Sequence, residues 1–347
     1  AGGEQISISC LARGVTWMPS YLVDLSDART AKLSAKAVII NELADFDKVR
    51  LELVTGFPNI KFGDVVSPTA MSQNLADFLN SLAQGRTEGH AGRHNVMAQQ
   101  AVMLNAAAFG PDNAPVPGYS TAEEGTVSED LFLYPVKELS LKKGETACIP
   151  LFTAEMAYKH IYTWKIADFL DKEERYRADT QREDERKTGE EIWHSCRLVN
   201  NLKMPLTTAA MEFMKDGQFT GQDICYYTAP GAETTIRINR AMNVVAEQAE
   251  IEVERKRNAA HFYGWNYDLV KVKGELKVKN RLDKAVDMEI TKELSGEIIE
   301  NAANAKDVQT AKGLKQVNPR HILTWQIELK SGEDKGLSYV YQVYVRN

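Results

Sequence analysis

Apolar and polar residues alternate along most of this chain in short stretches, the pattern of strands with one buried face. Three segments share a further arrangement: "AKAVIINELADFDKVRLELVTG", "RLVNNLKMPLTTAAMEFMKDG" and "GELKVKNRLDKAVDMEITKELSG". In the first, Val38, Ile39 and Ile40 run into Asn41, after which Val49, Leu51 and Leu53 alternate with Arg50, Glu52 and Val54. In the third, Val278 precedes Asn280, and Val286, Met288 and Ile290 alternate with Asp287 and Glu289; Asn200 and Leu206 repeat that spacing in the second. Asn suits such a place because its short amide bonds nearby backbone and tolerates the left-handed conformation that reverses a strand. Gly56, Gly217 and Gly296 close the three units. The pattern predicts one strand-turn-strand hairpin of a β-sandwich, used three times. A solenoid is excluded, since its repeats need a short fixed period.

The strand pattern continues between the units. Leu139 and Leu141 lead to a "KKGE" turn and then to Ala147, Ile149 and Leu151. Near the end, Leu323, Trp325, Ile327 and Leu329 face one way, "KSGEDKG" turns, and Leu337, Tyr339, Tyr341, Val343 and Val345 answer them, which predicts Trp325 in a core. Two stretches depart from this. Residues 67–125 carry helical spacing, with Leu75, Phe78, Leu79 and Leu82 on one side, and read as a helical and loop excursion serving as a sheet-edge cap, an assembly arm or a plain surface loop. Residues 171–190 are dense in charge of both signs and read as a solvated linker or exposed hairpin. The expected fold is therefore mostly β, with two β-sandwich-like domains: 1–170, holding a helical insertion, and 191–347.

Composition narrows the function classes. With 347 residues, 44% hydrophobic and 26% charged, the chain is of ordinary globular make-up. Its formal charge of −6 gives no concentrated positive potential for a phosphate backbone, so nucleic acid is not an expected partner. No run approaches the length and apolarity of a membrane-spanning helix. The opening "AGGEQISISC" already alternates like a strand, and the start is expected to be a processed or trimmed end. Cys10, Cys148, Cys196 and Cys225 are too scattered for a disulfide framework; buried thiols are the plain expectation, with a Cys196–Cys225 bridge the alternative.

Candidate chemistry is sparse. His194 and Cys196 are two apart in a strand and would face one way, as two zinc ligands might, but no second ligand pair accompanies them. "DGQFTGQD" has spaced glycines without the Lys and Ser or Thr of a phosphate loop, and no nucleophile elbow, zinc-binding helix or dinucleotide fingerprint occurs. Asp45 and Asp47 lie in an expected turn, where carboxylates bond local backbone. Trp164, Trp193 and Trp265 would serve a sugar-binding module only if their rings were exposed in a row.

The stretch "GVTWMPSYLVDLSDARTAKLSAKAVIINELADFDKVRLELVTGFP" carries Trp17, Pro19, Tyr21 and Asn41 in an order that resembles the carboxy-terminal domain of unknown function 4139 of mucoidy-inhibitor-A-like bacterial proteins. Asn200, Pro205, Leu206, Asp216, Gly217, Gly221, Pro230 and Gly231 follow the same family's later series, and the closing segment with Trp325 is similar to its last hairpin. With Asn280 these are turn and core positions, and the resemblance supplies no catalytic residue and no cofactor. An amino-terminal domain and coiled coil usually precede this region in the family, so the sequence is expected to be either a processed part or a shorter version of that arrangement. The resemblance implies a periplasmic, cell-surface or secreted place. The expected function is a non-catalytic structural or interaction module with a protein partner or self-association through strand edges or the 67–125 arm. The rivals are a hydrolase or carbohydrate-processing enzyme, whose inter-domain pocket would gather His160, His194 or His261 with carboxylates, and a carbohydrate-binding module.

Overall fold

A computed structural model describes residues 12, 14–55, 126–128, 131–170, 191–301, 304–311 and 316–346. They form strands β1 (Val15–Asp24), β2 (Thr30–Asn41), β3 (Phe46–Thr55), β4 (Thr126–Ser128), β5 (Leu131–Leu141) and β6 (Thr146–Ile166). Then come β7 (Ile192–Val199), β8 (Ala209–Lys215), β9 (Gln218–Cys225), β10 (Glu233–Arg240), β11 (Val244–Phe262) and β12 (Trp265–Asn280). The last are β13 (Val286–Ser295), β14 (Glu297–Asn301), β15 (Lys306–Ala311), β16 (Arg320–Leu329) and β17 (Asp334–Arg346). No α-helix occurs among the described residues, and the fold is mostly β. The expected helical insertion at 67–125 and charged linker at 171–190 lie outside them.

The strands form a ten-stranded sheet with main path β15-β16-β13-β6-β2-β1-β8-β9, where β7 joins β6 to β10, a four-stranded sheet β11-β12-β17-β14, and a three-stranded sheet β3-β5-β4. One four-strand scheme recurs within them. In each copy, the strand before the Asn pairs with the strand after a distant Gly turn: β2 with β6, β7 with β10, β12 with β17, all antiparallel. The strand after the Asn pairs with the strand before that turn: β3 with β5, β8 with β9, β13 with β16. Even the register agrees, for Ile40 opposes Thr146, Val199 opposes Glu233 and Lys279 opposes Asp334.

This corrects the hairpin expectation, because the two strands flanking each Asn never pair with each other. The cause lies in the Asn side chains, all fully buried. Asn41 Nδ2 donates to Ala44 O (2.6 Å) and Leu141 O (2.9 Å), while its Oδ1 accepts from Leu43 N (3.1 Å). Asn200 does the same with Met204 O (3.0 Å), Thr228 O (2.9 Å) and Leu202 N (3.1 Å). Asn280 contacts Lys284 O (2.8 Å), Leu329 O (3.2 Å), Lys330 O (3.1 Å) and Leu282 N (3.0 Å). Each amide thus shapes its own loop and ties it to the residue before a remote turn. Those turns, 142–145, 229–232 and 330–333, carry Gly144, Gly231 and Gly332 at φ of 84°, 78° and 72°, where a Cβ is penalised.

Two clusters of buried side chains stand apart. The first draws on β1–β3 and β5–β10, with Leu33, Ile39, Ile149 and Phe213 at its centre. The second draws on β11–β13, β16 and β17, with Trp164, Val270, Trp325 and Tyr339. Strand β6 serves both, since Ala147 through Tyr158 enter the first and Tyr162 through Ile166 the second.

Candidate functional site

Where β6 passes from one core to the other, Tyr158, His160 and Tyr162 share a face by alternation. The antiparallel β7 sets His194 opposite Tyr162. The imidazole of His194 stacks on the Tyr162 ring at 5.0 Å and lies 4.8 Å from that of His160, whose other side meets the edge of Tyr158 at 5.2 Å. His194 Nε2 and His160 Nδ1 are 3.0 Å apart, a hydrogen bond. On the far side of His194, a bulge in β10 between Arg237 and Asn239 brings Asn239 into line, and its side chain hydrogen-bonds the imidazole. Burial pushes His194 down to about 4, and the neighbouring His160, Lys284 and Lys215 act the same way. Burial also lowers His160, again assisted by Lys284 and Lys215.

Beside this pair opens a cleft of about 300 Å³ lined by His160, Tyr162, Glu328 and Lys284 through Asp287. Asp287 and Glu328 face each other directly in the β13–β16 register. The site therefore offers neutral imidazole, two carboxylates and one ammonium, but no Ser, Thr or Cys nucleophile among its described lining. Of the three histidines named from sequence, His160 and His194 come together here, while His261 contacts Asn266 Oδ1 at 2.7 Å near the β11–β12 turn.

The weak metal pair does not form a centre. His194 is turned to Tyr162, whereas Cys196 is buried in the first core, its thiol pushed up by burial to about 12. No three His, Cys, Asp or Glu among the described residues are grouped to hold a metal. Cys225 is likewise buried and raised to about 12, Cys148 is exposed, and all three are free thiols, so the Cys196–Cys225 bridge is not made. Cys10 lies outside the described residues.

The motif residues are structural. Trp17 donates Nε1–H to Val54 O (3.2 Å) and meets Tyr134 edge-on. Pro19 is tolerated inside β1 because pairing with β8 begins only at Ser20. The buried Tyr21 hydroxyl accepts from Thr207 N (2.9 Å) and bonds its Oγ1 (3.0 Å). Asp216 and Gly217, both with positive φ, make the two-residue β8–β9 turn. A Cβ on Gly221 would lie 1.8 Å from Ile238 O, so its glycine lets β9 and β10 touch. Asp45 accepts from Lys143 N (2.9 Å), a backbone donor 98 residues away in the remote turn rather than the local one expected. Trp325 is buried against Tyr339. Of the three tryptophans considered for sugar, Trp164 is buried, Trp193 lies half-buried under Arg237, and Trp265 is 47% exposed beneath Arg346, so they form no row.

A buried ionic network escaped the sequence reading. Lys292 on β13 has no exposed side-chain surface; its Nζ donates to Ala167 O (2.9 Å), pairs with Glu250 (3.2 Å) and caps the Phe169 ring. Glu250 also accepts from the hydroxyls of Tyr339 (2.7 Å) and Tyr341 (3.1 Å), and Ser295 Oγ donates to Asp168 (2.5 Å) nearby. Burial, then the charge of Glu250, holds the Tyr339 hydroxyl well above its usual range. The available signal was phase: Lys292 stands in register with the inward Met288, Ile290 and Leu294.

One edge of the four-stranded sheet is also unusual. Strand β11 ends the sheet, pairs on one side only among the described residues, and runs beyond the second core. There Ile251 is 54% and Val253 58% exposed, and the aromatic tip adds Tyr263 and Trp265.

A family model described as Domain of unknown function (DUF4139) matches residues 6–345, the family expected from the sequence. No curated protein matches the chain.

Proposed function

The chain belongs to the DUF4139 family, and we propose that it is a non-catalytic structural and interaction module of the bacterial envelope or exterior, pairing with a protein or a second copy through a strand edge. The observation that carries this reading is β11. Its residues Ile251–Glu254 lie on the outer edge of the sheet, pair only with β12 among the described residues, and present the exposed Ile251 and Val253 beside Glu252 and Glu254. An edge of this kind recruits an added strand through main-chain hydrogen bonds, with side chains supplying specificity. The reading of two sandwich-like domains belongs to the same proposal and is supported by the two cores. Since the first core uses β7–β10, we draw the division within β6 and β7.

Light scattering across concentration, with affinity capture from a bacterial envelope extract, tests the proposal. Association or a captured partner that is lost in the Ile251→Lys/Val253→Lys variant supports it. A monomer at every concentration that captures nothing overturns it. The rival hydrolase reading is favoured by one observation, a cleft whose lining residues include His160, Asp287 and Glu328. Those groups suit acid-base chemistry, and turnover abolished by His160→Gln would establish it.

A further inference from the structure

We propose that the tip of the β11–β12 hairpin rests in the interface of an anionic lipid bilayer, with Phe262, Tyr263 and Trp265 as its anchors; this goes beyond the strand-edge reading and does not depend on it. From Ile251 to Asn266 every residue is exposed apart from the half-buried Arg255 and Ala260, so the hairpin projects from the second core. It ends in a two-residue turn, Tyr263 and Gly264 at φ of 51° and 83°, between the paired Phe262 and Trp265. Tyr263 is 64% exposed, Trp265 47% and Phe262 38%. The rings behind the turn are held in place. Phe262 meets Tyr267 and Tyr344 edge-on at 5.8 and 5.7 Å, and the Arg346 guanidinium lies 3.4 Å from the centroid of Trp265. A tip ordered in this way loses little freedom on binding.

The chemistry of the tip selects its occupant. Trp and Tyr join an apolar ring to a polar handle and settle at headgroup level. A convex turn offers no concavity to a small molecule, and Arg346 covers a face of Trp265 on which a sugar would stack. Three rings of about 150–250 Å² each, about half exposed, fall short of the roughly 600 Å² that each side of the smallest standard protein interface buries. Charge points the same way. From Arg255 to Asp268 the chain carries Arg255, Lys256 and Arg257 against Asp268 alone, and Arg346 adds a fourth cation, in a chain of formal charge −6. Arg255 is engaged by Asp268 and Glu252, and Lys256 by Glu254. Arg257 has no ion-pair partner among the described residues and is left to meet an anionic headgroup, beside Arg346 on Trp265. No helix among the described residues is long and apolar enough to cross a membrane, and a tip lying in the interface needs none.

The test sediments the full chain with vesicles of phosphatidylcholine alone and of phosphatidylcholine mixed with phosphatidylglycerol. Of the five tryptophans Trp265 alone is exposed, so it reports contact by a blue shift and by quenching from lipids brominated near the headgroup. The expected result is saturable binding that carries both signals and is stronger on the anionic vesicles. Tyr263→Asn/Trp265→Thr keeps a residue that tolerates positive φ in the turn and should weaken binding at least about tenfold, the worth of burying one such ring. Arg257→Gln should weaken it about fivefold on the anionic vesicles only. Ile251→Lys/Val253→Lys should bind lipid no less than the parent chain, which separates this result from the strand-edge reading. Failure to sediment with either vesicle, equal binding to both, binding that the tip variant leaves unchanged, binding without a Trp265 signal, or a tip that captures an oligosaccharide or a protein in place of lipid overturns the proposal.

Discussion

Replacing Asn280 by alanine removes two amide N–H donors that serve three carbonyls, Lys284 O, Leu329 O and Lys330 O, one of the N–H groups being shared, and the acceptor for Leu282 N. The Leu329 contact is buried, whereas the others lie where water reaches in part. An unsatisfied buried carbonyl costs about 1–3 kcal/mol and each partly exposed bond about 0.5–1.5 kcal/mol, before relaxation. We expect a net loss of about 2–4 kcal/mol, read as the shift in urea unfolding followed by tryptophan fluorescence, because Trp164 and Trp325 report the same core. Asn41→Ala and Asn200→Ala, which lose the same two amide donors, should fall in the same range. Asn280→Asp is the sharper probe. It keeps shape and acceptor but turns an oxygen toward three carbonyls, which raises the folded-state pKa of the new carboxyl above the unfolded value of about 3.9. A raised pKa means stability is greatest below the unfolded value and is lost as pH rises through the folded one. Asn280→Asp should therefore be worse than Asn280→Ala at pH 7, with the gap closing toward pH 4. An alanine cost under about 0.5 kcal/mol, or an aspartate tolerated as well as alanine at neutral pH, would refute the reasoning.

Lys292→Met should cost about 3–5 kcal/mol because it strands the Glu250 carboxylate in the core, and a double-mutant cycle with Glu250→Gln should show the two changes costing less together than their sum. Gly274→Ala would put a Cβ 2.1 Å from the Tyr339 ring, which Glu250 holds in place, and Gly221→Ala would meet Ile238 O at 1.8 Å; both should lose about 1–3 kcal/mol in the same unfolding assay. Because His160 and His194 titrate below their ordinary value when folded, stability should be full above about pH 6.5 and decline as pH falls toward 4; His194→Phe should flatten that slope in urea midpoints measured across the window.

The strands were legible because alternation reports which side of a residue is buried, as the inward run Val286, Met288, Ile290 shows. Partners were not, because a period of two carries no information on which strand lies alongside. The turns "KKGE" and "KSGE" and the pair Pro230 and Gly231 were each visible, yet nothing local connects them to Asn41, Asn280 and Asn200. The His160–His194 contact was hidden for the same reason, being made by two residues 34 apart through the β6–β7 register. Lys292 differs, since its phase marked it as inward, and only the habit of placing lysine in water spoke against it.

The shared closure makes the three units comparable as folding steps. The Asn side chain reaches its remote carbonyl across 28 residues in the second unit, 49 in the third and 100 in the first. Loop-closure entropy grows as (3/2)RT times the logarithm of length, so closing the first costs about 1 kcal/mol more than the second before any contact is made. With the same device at each closure, this difference favours the second unit as the earliest to form. Asn200→Ala should then slow folding, while Asn41→Ala should chiefly speed unfolding, in stopped-flow urea jumps compared at equal destabilisation. If Asn41→Ala slows folding more than Asn200→Ala, closure length does not set the order, and the pairing of β2 with both β1 and β6 must form ahead of its own Asn corner.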